Sequence, residues 1–264
     1  MEILGYIASL LIGISLGLIG GGGSILTVPV MVYLFGLQPL LATSYSLFVV
    51  GSTSLVGAYN NFRKGLVNVK AALLFGASSI ITVFLTRKYL VPALPKKIVI
   101  GGVTITEALL TMVLFAVLML LASISMIRNK NVPVEEKECR DCMQFKRLVV
   151  YGIAIGLVTG LLGAGGGFLL IPALVLLLKL PMKKAIGTSL LIIALNSLIG
   201  FTGDLGHFSI DWLFLLKTTA IAITGIFIGG TLSKKIAGNK LKKGFGWFVL
   251  VMGVYIIIKE TILK

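Results

Sequence analysis

The chain has 264 residues, 57% hydrophobic and 12% charged, with a formal net charge of +15 and a mean hydropathy of +1.06. That balance describes an integral membrane protein and excludes a soluble core of the same length. The excess lysines and arginines fall in short clusters between apolar runs, as topology signals and headgroup contacts do; no basic stripe interleaved with aromatics points to nucleic acid.

Apolar runs bounded by glycine, proline and charge predict an all-α polytopic protein. The first half divides into elements at about 3–19, 25–36, 40–59, 69–86 and 103–127. Residues 1–19 lack a basic leading region, so the first segment is expected to stay in the protein. Residues 128–147 form the one long polar stretch and are expected to be a cytoplasmic linker between a first membrane repeat, 1–127, and a second, 148–264. Cys139 and Cys142 lie in this linker as Cys-Arg-Asp-Cys. Zinc would need two further ligands, and the single histidine is His207, so no metal site and no cofactor are expected. A four-cysteine site shared by a homodimer stays open. The second half gives elements at about 148–162, 168–180, 184–203, 210–230 and 244–258. The second element of each half is shorter than the roughly 20 residues that cross hydrocarbon, which predicts short broken or re-entrant helices.

The halves align without a gap at an offset of 143: Gly13, Gly17 and Gly20 fall on Gly156, Gly160 and Gly163, Pro29 on Pro172, Ser46 on Ser189, Ser54 on Ser197, and Val67-Asn68 on Ile210-Asp211. Internal repeats of this kind are a sequence sign of a transporter. If all five elements of each half cross, the second repeat is inverted; if the short ones do not, the repeats are parallel. With the linker inside, Arg63, Lys64, Lys179, Lys183, Lys184, Lys234 and Lys240 fall in the cytoplasm, while the turn at 36–39 and the loop at 204–211 fall outside. One loop, 87–101, disagrees, because Arg87, Lys88, Lys96 and Lys97 land outside. The charge pattern favours the inverted arrangement.

Gly20-Gly21-Gly22-Gly23-Ser24 returns as Gly163-Ala164-Gly165-Gly166-Gly167, each followed by a short apolar segment and a proline. Glycine runs expose backbone that hydrocarbon cannot satisfy. They make sense where two half-elements meet and aim bare N–H groups at an anion; the competing reading is close helix packing. The candidate binding groups are Gly21, Gly22, Gly23, Ser24, Ala164, Gly165, Gly166 and Gly167, with the hydroxyls of Ser44, Ser46, Thr188 and Ser189. Asn196, Ser197 and Ser54 add amide and hydroxyl donors about two turns further on. A site of neutral donors suits release as well as binding, and a fixed Arg or Lys clamp would hold an anion too tightly. Lys217 sits inside the 210–230 run, where it either attracts the anion or snorkels. Glu107, Asp204 and His207 lie near element boundaries and are expected to be solvated. Gly152, in a helix interior, is expected to tolerate a methyl group. No residue set points to catalysis.

The Gly-x-Gly-Gly-Gly motif with its following proline, Ala185-Ile186-Gly187-Thr188-Ser189-Leu190, and Ser197-Leu198-Ile199-Gly200 resemble the TauE/SafE family of prokaryotic membrane permeases, across nearly the whole chain outside 128–147. The first repeat departs from that pattern, with Ala42-Thr43-Ser44-Tyr45-Ser46 at the matching place. The resemblance implies a secondary transporter in the plasma membrane, with sulfite or a small organosulfur anion as substrate and the lipid bilayer as its surroundings. The rival is a membrane scaffold or receptor subunit that docks a partner through 128–147 and moves nothing.

Overall fold

Each apolar run becomes a helix in the structure, a computed structural model that describes residues 2–93, 97–100, 103–128, 145–163, 165–178, 180–206, 209–233 and 238–261. In the first half these are α1 (Glu2–Ile19), a 3-10 segment (Gly21–Leu26), α2 (Thr27–Tyr33), α3 (Pro39–Arg63) and α4 (Val69–Leu85). A π-helical turn (Thr86–Leu90) and a last turn, α5 (Val91–Ala93), extend α4. Then come strands β1 (Lys97–Ile100) and β2 (Val103–Thr106), and α6 (Glu107–Arg128). The second half holds α7 (Phe145–Leu162), α8 (Gly167–Leu177), α9 (Met182–Asp204), α10 (Trp212–Leu232) and α11 (Gly238–Thr261). Cys139, Cys142 and the linker residues 129–144 lie outside the described residues, as do Ala164 and His207.

Two expectations change. The stretch read as a loop at 87–101 is helical to Ala93, and 103–106 is strand rather than the start of a helix. β1 and β2 pair antiparallel, Lys97 opposite Thr106 and Ile100 opposite Val103. Their β-branched residues flank Gly101-Gly102 in the sequence, a hairpin signature.

Local signals set the helix ends. Pro39 opens α3, where its missing N–H costs nothing. Asn68 caps α4, its Oδ1 accepting from the Ala71 amide at 3.0 Å. Asp211, its mate at the 143 offset, caps α10 through the Phe214 amide at 3.0 Å. Among the described residues four helical stretches are long and apolar enough to cross a membrane: 39–63, 69–93, 183–204 and 212–232. Their outer faces expose Leu55, Leu73, Ile81, Leu213 and Phe227, as a surface in hydrocarbon requires.

Glycine stripes bring the helices together and fix their directions. A Cβ on Gly13 or Gly17 would run into backbone of α10 at Ala222 and Ile226, so α1 and α10 are parallel. Gly152, Gly156 and Gly160 meet Ser78, Ser79 and Thr86 in the same way, so α7 and α4 are parallel. Gly152 is therefore a packing residue with Phe75 O only 3.0 Å from a built Cβ, not a tolerant position. α3 crosses α9 antiparallel: Gly200 faces Leu47, Gly51 faces Leu198 and Gly57 faces Leu190. α4 runs parallel to α9, through Ser79 with Asn196 and Arg87 with Asp204. α3 runs parallel to α10, since Tyr45 Oη accepts from the Asp211 amide at 2.7 Å and Gly57 faces Ile226. Helices α1, α3 and α10 thus point one way, and α4, α7 and α9 the other. The 3-10 segment and α2 return alongside α1: Gly23 lies against Ile12 and Leu16, and the Phe35 ring packs edge-on to Tyr6.

Candidate functional site

The two glycine breaks meet backbone to backbone. A Cβ on Gly21 would overlap Gly167 and one on Gly167 would overlap Gly21, so neither position holds a larger residue without separating the segments. The first break follows the end of α1 and the second the end of α7, two helices that point in opposite directions. Left-handed backbone makes the turns, with φ of +75° at Gly20 and +66°, +67° and +66° at Gly163, Gly165 and Gly166, a region open to glycine at no steric cost. No side chain caps the 3-10 segment or α8, which leaves their first-turn amides to something other than a cap. Gly22 lies in the same 3-10 segment as Gly21 and Gly23. Gly23 is buried against α1, and the Ser24 hydroxyl donates to Gly21 O at 2.7 Å.

Gly165 reaches the middle of the α3–α9 crossing, where a Cβ would stand 2.9 Å from Ser197 Oγ and Val50 Cγ1 and 3.1 Å from Ile193 Cγ2. Around this level Thr53, Ser54, Asn196 and Ser197 are each 0% exposed. Thr53 Oγ1, Ser54 Oγ, Asn196 Oδ1 and Ser197 Oγ all lack a hydrogen-bond partner among the described residues. A buried polar atom left unpaired costs about 1–3 kcal/mol, which makes this level of the crossing a candidate for contact with a polar ligand. The four are two repeat pairs: Thr53 with Asn196, and Ser54 with Ser197. Thr53 was not among the expected residues, although the 143 offset from Asn196 leads to it.

The other expected groups divide. Ser44 and Ser46 are buried and lack partners among the described residues, nearer the start of α3. Thr188 and Ser189 are buried but occupied: Thr188 Oγ1 accepts from the Asn68 amide at 2.9 Å, and Ser189 donates to Ile186 O at 2.9 Å. Asn196 gives one amide N–H to Ser79 Oγ at 2.7 Å, and its Oδ1 is left without a partner among the described residues. Gly166 packs on Thr159. Lys217 is exposed on the outer face of α10, on the same side as the exposed Leu213 and Leu216.

Among the described residues one charge pair enters the interior. Arg87, on the π-helical turn, is 0% exposed; its Nη1 donates to Asp204 Oδ2 at 3.2 Å and to Thr43 Oγ1 at 3.0 Å. Asp204, expected to be solvated, is 2% exposed, because α9 continues through it and α4 brings the arginine alongside. The sequence signal that could have found Arg87 was the one loop that disagreed with the charge pattern. A buried arginine is not a topology charge.

The family model for "Sulfite exporter TauE/SafE" matches residues 5–256. A "Probable membrane transporter protein" of Xylella fastidiosa (strain 9a5c) is 30% identical over 254 residues, covering 94% of this chain and 91% of its own. The "Probable membrane transporter protein YdhB" of Bacillus subtilis is 24% identical over 249 residues, covering 94% of this chain and 96% of its own. No solved structure matches the chain.

Proposed function

The chain belongs to the sulfite exporter TauE/SafE family, an integral membrane transporter of the plasma membrane, and from that premise we propose that it exports a small anion, most simply sulfite or an organosulfonate, through a central site between two inverted repeats. The observation that carries this reading is the set of three buried hydroxyls at the α3–α9 crossing, those of Thr53, Ser54 and Ser197, without partners among the described residues and beside glycine breaks that approach from helices of opposite direction. Hydroxyls of Thr53, Ser54 and Ser197 replace part of an oxyanion's water, and uncapped amides of the breaks replace more. Neutral hydrogen bonds of this kind let the anion leave again.

Inversion is supported by direction. The mates under the 143 offset are α1 with α7, α3 with α9, and α4 with α10, and each pair points opposite ways. The repeats are 1–127 and 148–264, joined by the linker 128–147. With the cytoplasm negative, each anionic charge gains about 2.3 kcal/mol per 100 mV on leaving, so uniport suffices for export.

The test is efflux from proteoliposomes loaded with sulfite, methanesulfonate or sulfate under an imposed potential. Sulfite or methanesulfonate efflux above empty liposomes, accelerated by an outside-positive potential, is the expected result. No efflux of any of the three from stably inserted protein overturns the anion reading. Deleting residues 132–141 should leave efflux measurable; its complete loss from a stably inserted deletion variant would favour docking through the linker.

A further inference from the structure

Arg87 is the bulkiest of the fully buried side chains, and only one corner of its guanidinium is used. Nη1 takes both contacts, to Asp204 and Thr43, while Nε and Nη2 have no partner among the described residues. Those two nitrogens form the side edge of the guanidinium, whose parallel N–H bonds match two oxygens of one carboxylate, sulfite or sulfonate group. The bare edge lies at the second glycine break: a Cβ on Gly163 would collide with Arg87 Nη2 and Thr43, and Gly163 holds φ +66°. Asp204 neutralises the arginine, so an arriving anion meets a neutral pair with two strong donors instead of a lone cation. This answers the objection that a buried arginine would never release its anion.

The repeat relation makes the feature one-sided. The 143 offset takes Gly163 to Gly20, Arg87 to Gly230, Asp204 to Asn61 and Thr43 to Ile186. At Gly20 the atoms nearest a built Cβ are carbons, Ile186 Cγ2 at 3.0 Å and Ile171 Cδ1 at 3.4 Å, with no charged side chain among the three nearest. A requirement common to both breaks would place a charge at both.

We propose that the Nε–Nη2 edge of Arg87 is an oxyanion-binding subsite at the Gly163 break, which takes two oxygens of a sulfite- or sulfonate-type anion as it passes to or from the central oxygens. The subsite rests on the anion-transport reading, and its test is built so that the two can fail separately. Protein labelled with 15N-arginine, in detergent micelles, is titrated with sulfite while the Nε–H resonance of Arg87, recognised by its protection from solvent exchange, is followed. A saturable shift of that resonance, with those of Arg63 and Arg128 unmoved, is expected. In proteoliposomes, Arg87→Lys keeps the charge and loses the two-pronged edge, and should raise the sulfite KM at least about tenfold with Vmax within about twofold. The double variant Arg87→Gln with Asp204→Asn removes both charges together and should raise KM similarly, whereas a pair that only holds α4 to α9 would leave KM at the parent value. An Arg87 resonance unmoved by saturating sulfite in protein that transports sulfite overturns the subsite alone. A shift without transport supports the subsite and sinks the transport reading; neither shift nor transport sinks both. Because the titration uses the parent protein, a variant that fails to fold does not block the decision.

Discussion

At Gly165 the backbone φ of +67° and three neighbours within 3.1 Å of a built Cβ combine two penalties for any side chain. Gly165→Ala should lower anion transport at least about tenfold, equivalent to about 1.4 kcal/mol, while the protein still inserts. Gly76 is the fitting comparison, since a Cβ there meets nothing closer than 3.9 Å; Gly76→Ala should transport like the parent. Equal transport by both variants would make Gly165 a packing residue. The hydroxyls separate by whether they are already bonded. Ser54→Ala and Ser197→Ala delete oxygens with no partner among the described residues, so each should weaken transport by about 0.5–1.5 kcal/mol with no loss of thermal stability. Thr188→Ala removes the acceptor for the Asn68 amide and should show the reverse, a lower melting temperature with transport retained. Loss of stability in both serine variants, without a transport defect, would move the site away from the crossing.

Among the elements, α1 and α7 place their repeated glycines on helix interfaces rather than in the site. Gly13 and Gly17 face α10 and Gly156 and Gly160 face α4, each so close that a methyl group would overlap atoms of the partner helix. Small residues on such stripes let backbones approach where lipid offers no hydrophobic drive. Gly17→Leu and Gly156→Leu should each lower stability by about 1–3 kcal/mol or more, read as a drop in melting temperature or loss of monodispersity; an unchanged melting temperature would mean that these helices can separate freely. Element positions were legible in the sequence because apolar runs end at glycine, proline or charge, and the constant offset paired Asn68 with Asp211 before either was known to cap a helix. The β-branched residues of the 97–106 hairpin carry a strand signal, which competes with the lysines that read as a loop and the apolar run that reads as a helix start. Arg87 was not legible in the same way. Its acceptors, Thr43 and Asp204, lie 44 and 117 residues away in sequence, and an arginine next to Lys88 reads as the end of a membrane segment until the fold supplies a counter-ion. Nor could sequence divide the hydroxyls, since Ser189 and Ser197 differ only in whether the helix turn before them takes up the proton.

For the whole molecule, the helix directions sort the charges to two ends. At one end lie Arg63, Lys64, Lys70, Lys183 and Lys184, where α3 ends and α4 and α9 begin, with no acidic residue on those turns. At the other lie Asp204, Asp211, Arg87 and Lys88, and two of these four neutralise each other. With Arg87 removed from the topology count, the loop that disagreed loses part of its weight, and the excess of positive charge predicts that the first end is cytoplasmic. The expected readout is labelling by a membrane-impermeant maleimide in whole cells, in a background with Cys139 and Cys142 replaced by serine. Gln38→Cys and Leu205→Cys, at exposed positions of the second end, should label from outside; Lys64→Cys and Lys183→Cys should label only after the membrane is opened. External labelling at Lys64→Cys with none at Leu205→Cys would reverse the orientation and put the Arg87 pair on the cytoplasmic side. Under the expected orientation the charged break faces outward, where an exported anion arrives last, and the uncharged break at Gly20 faces the side it leaves.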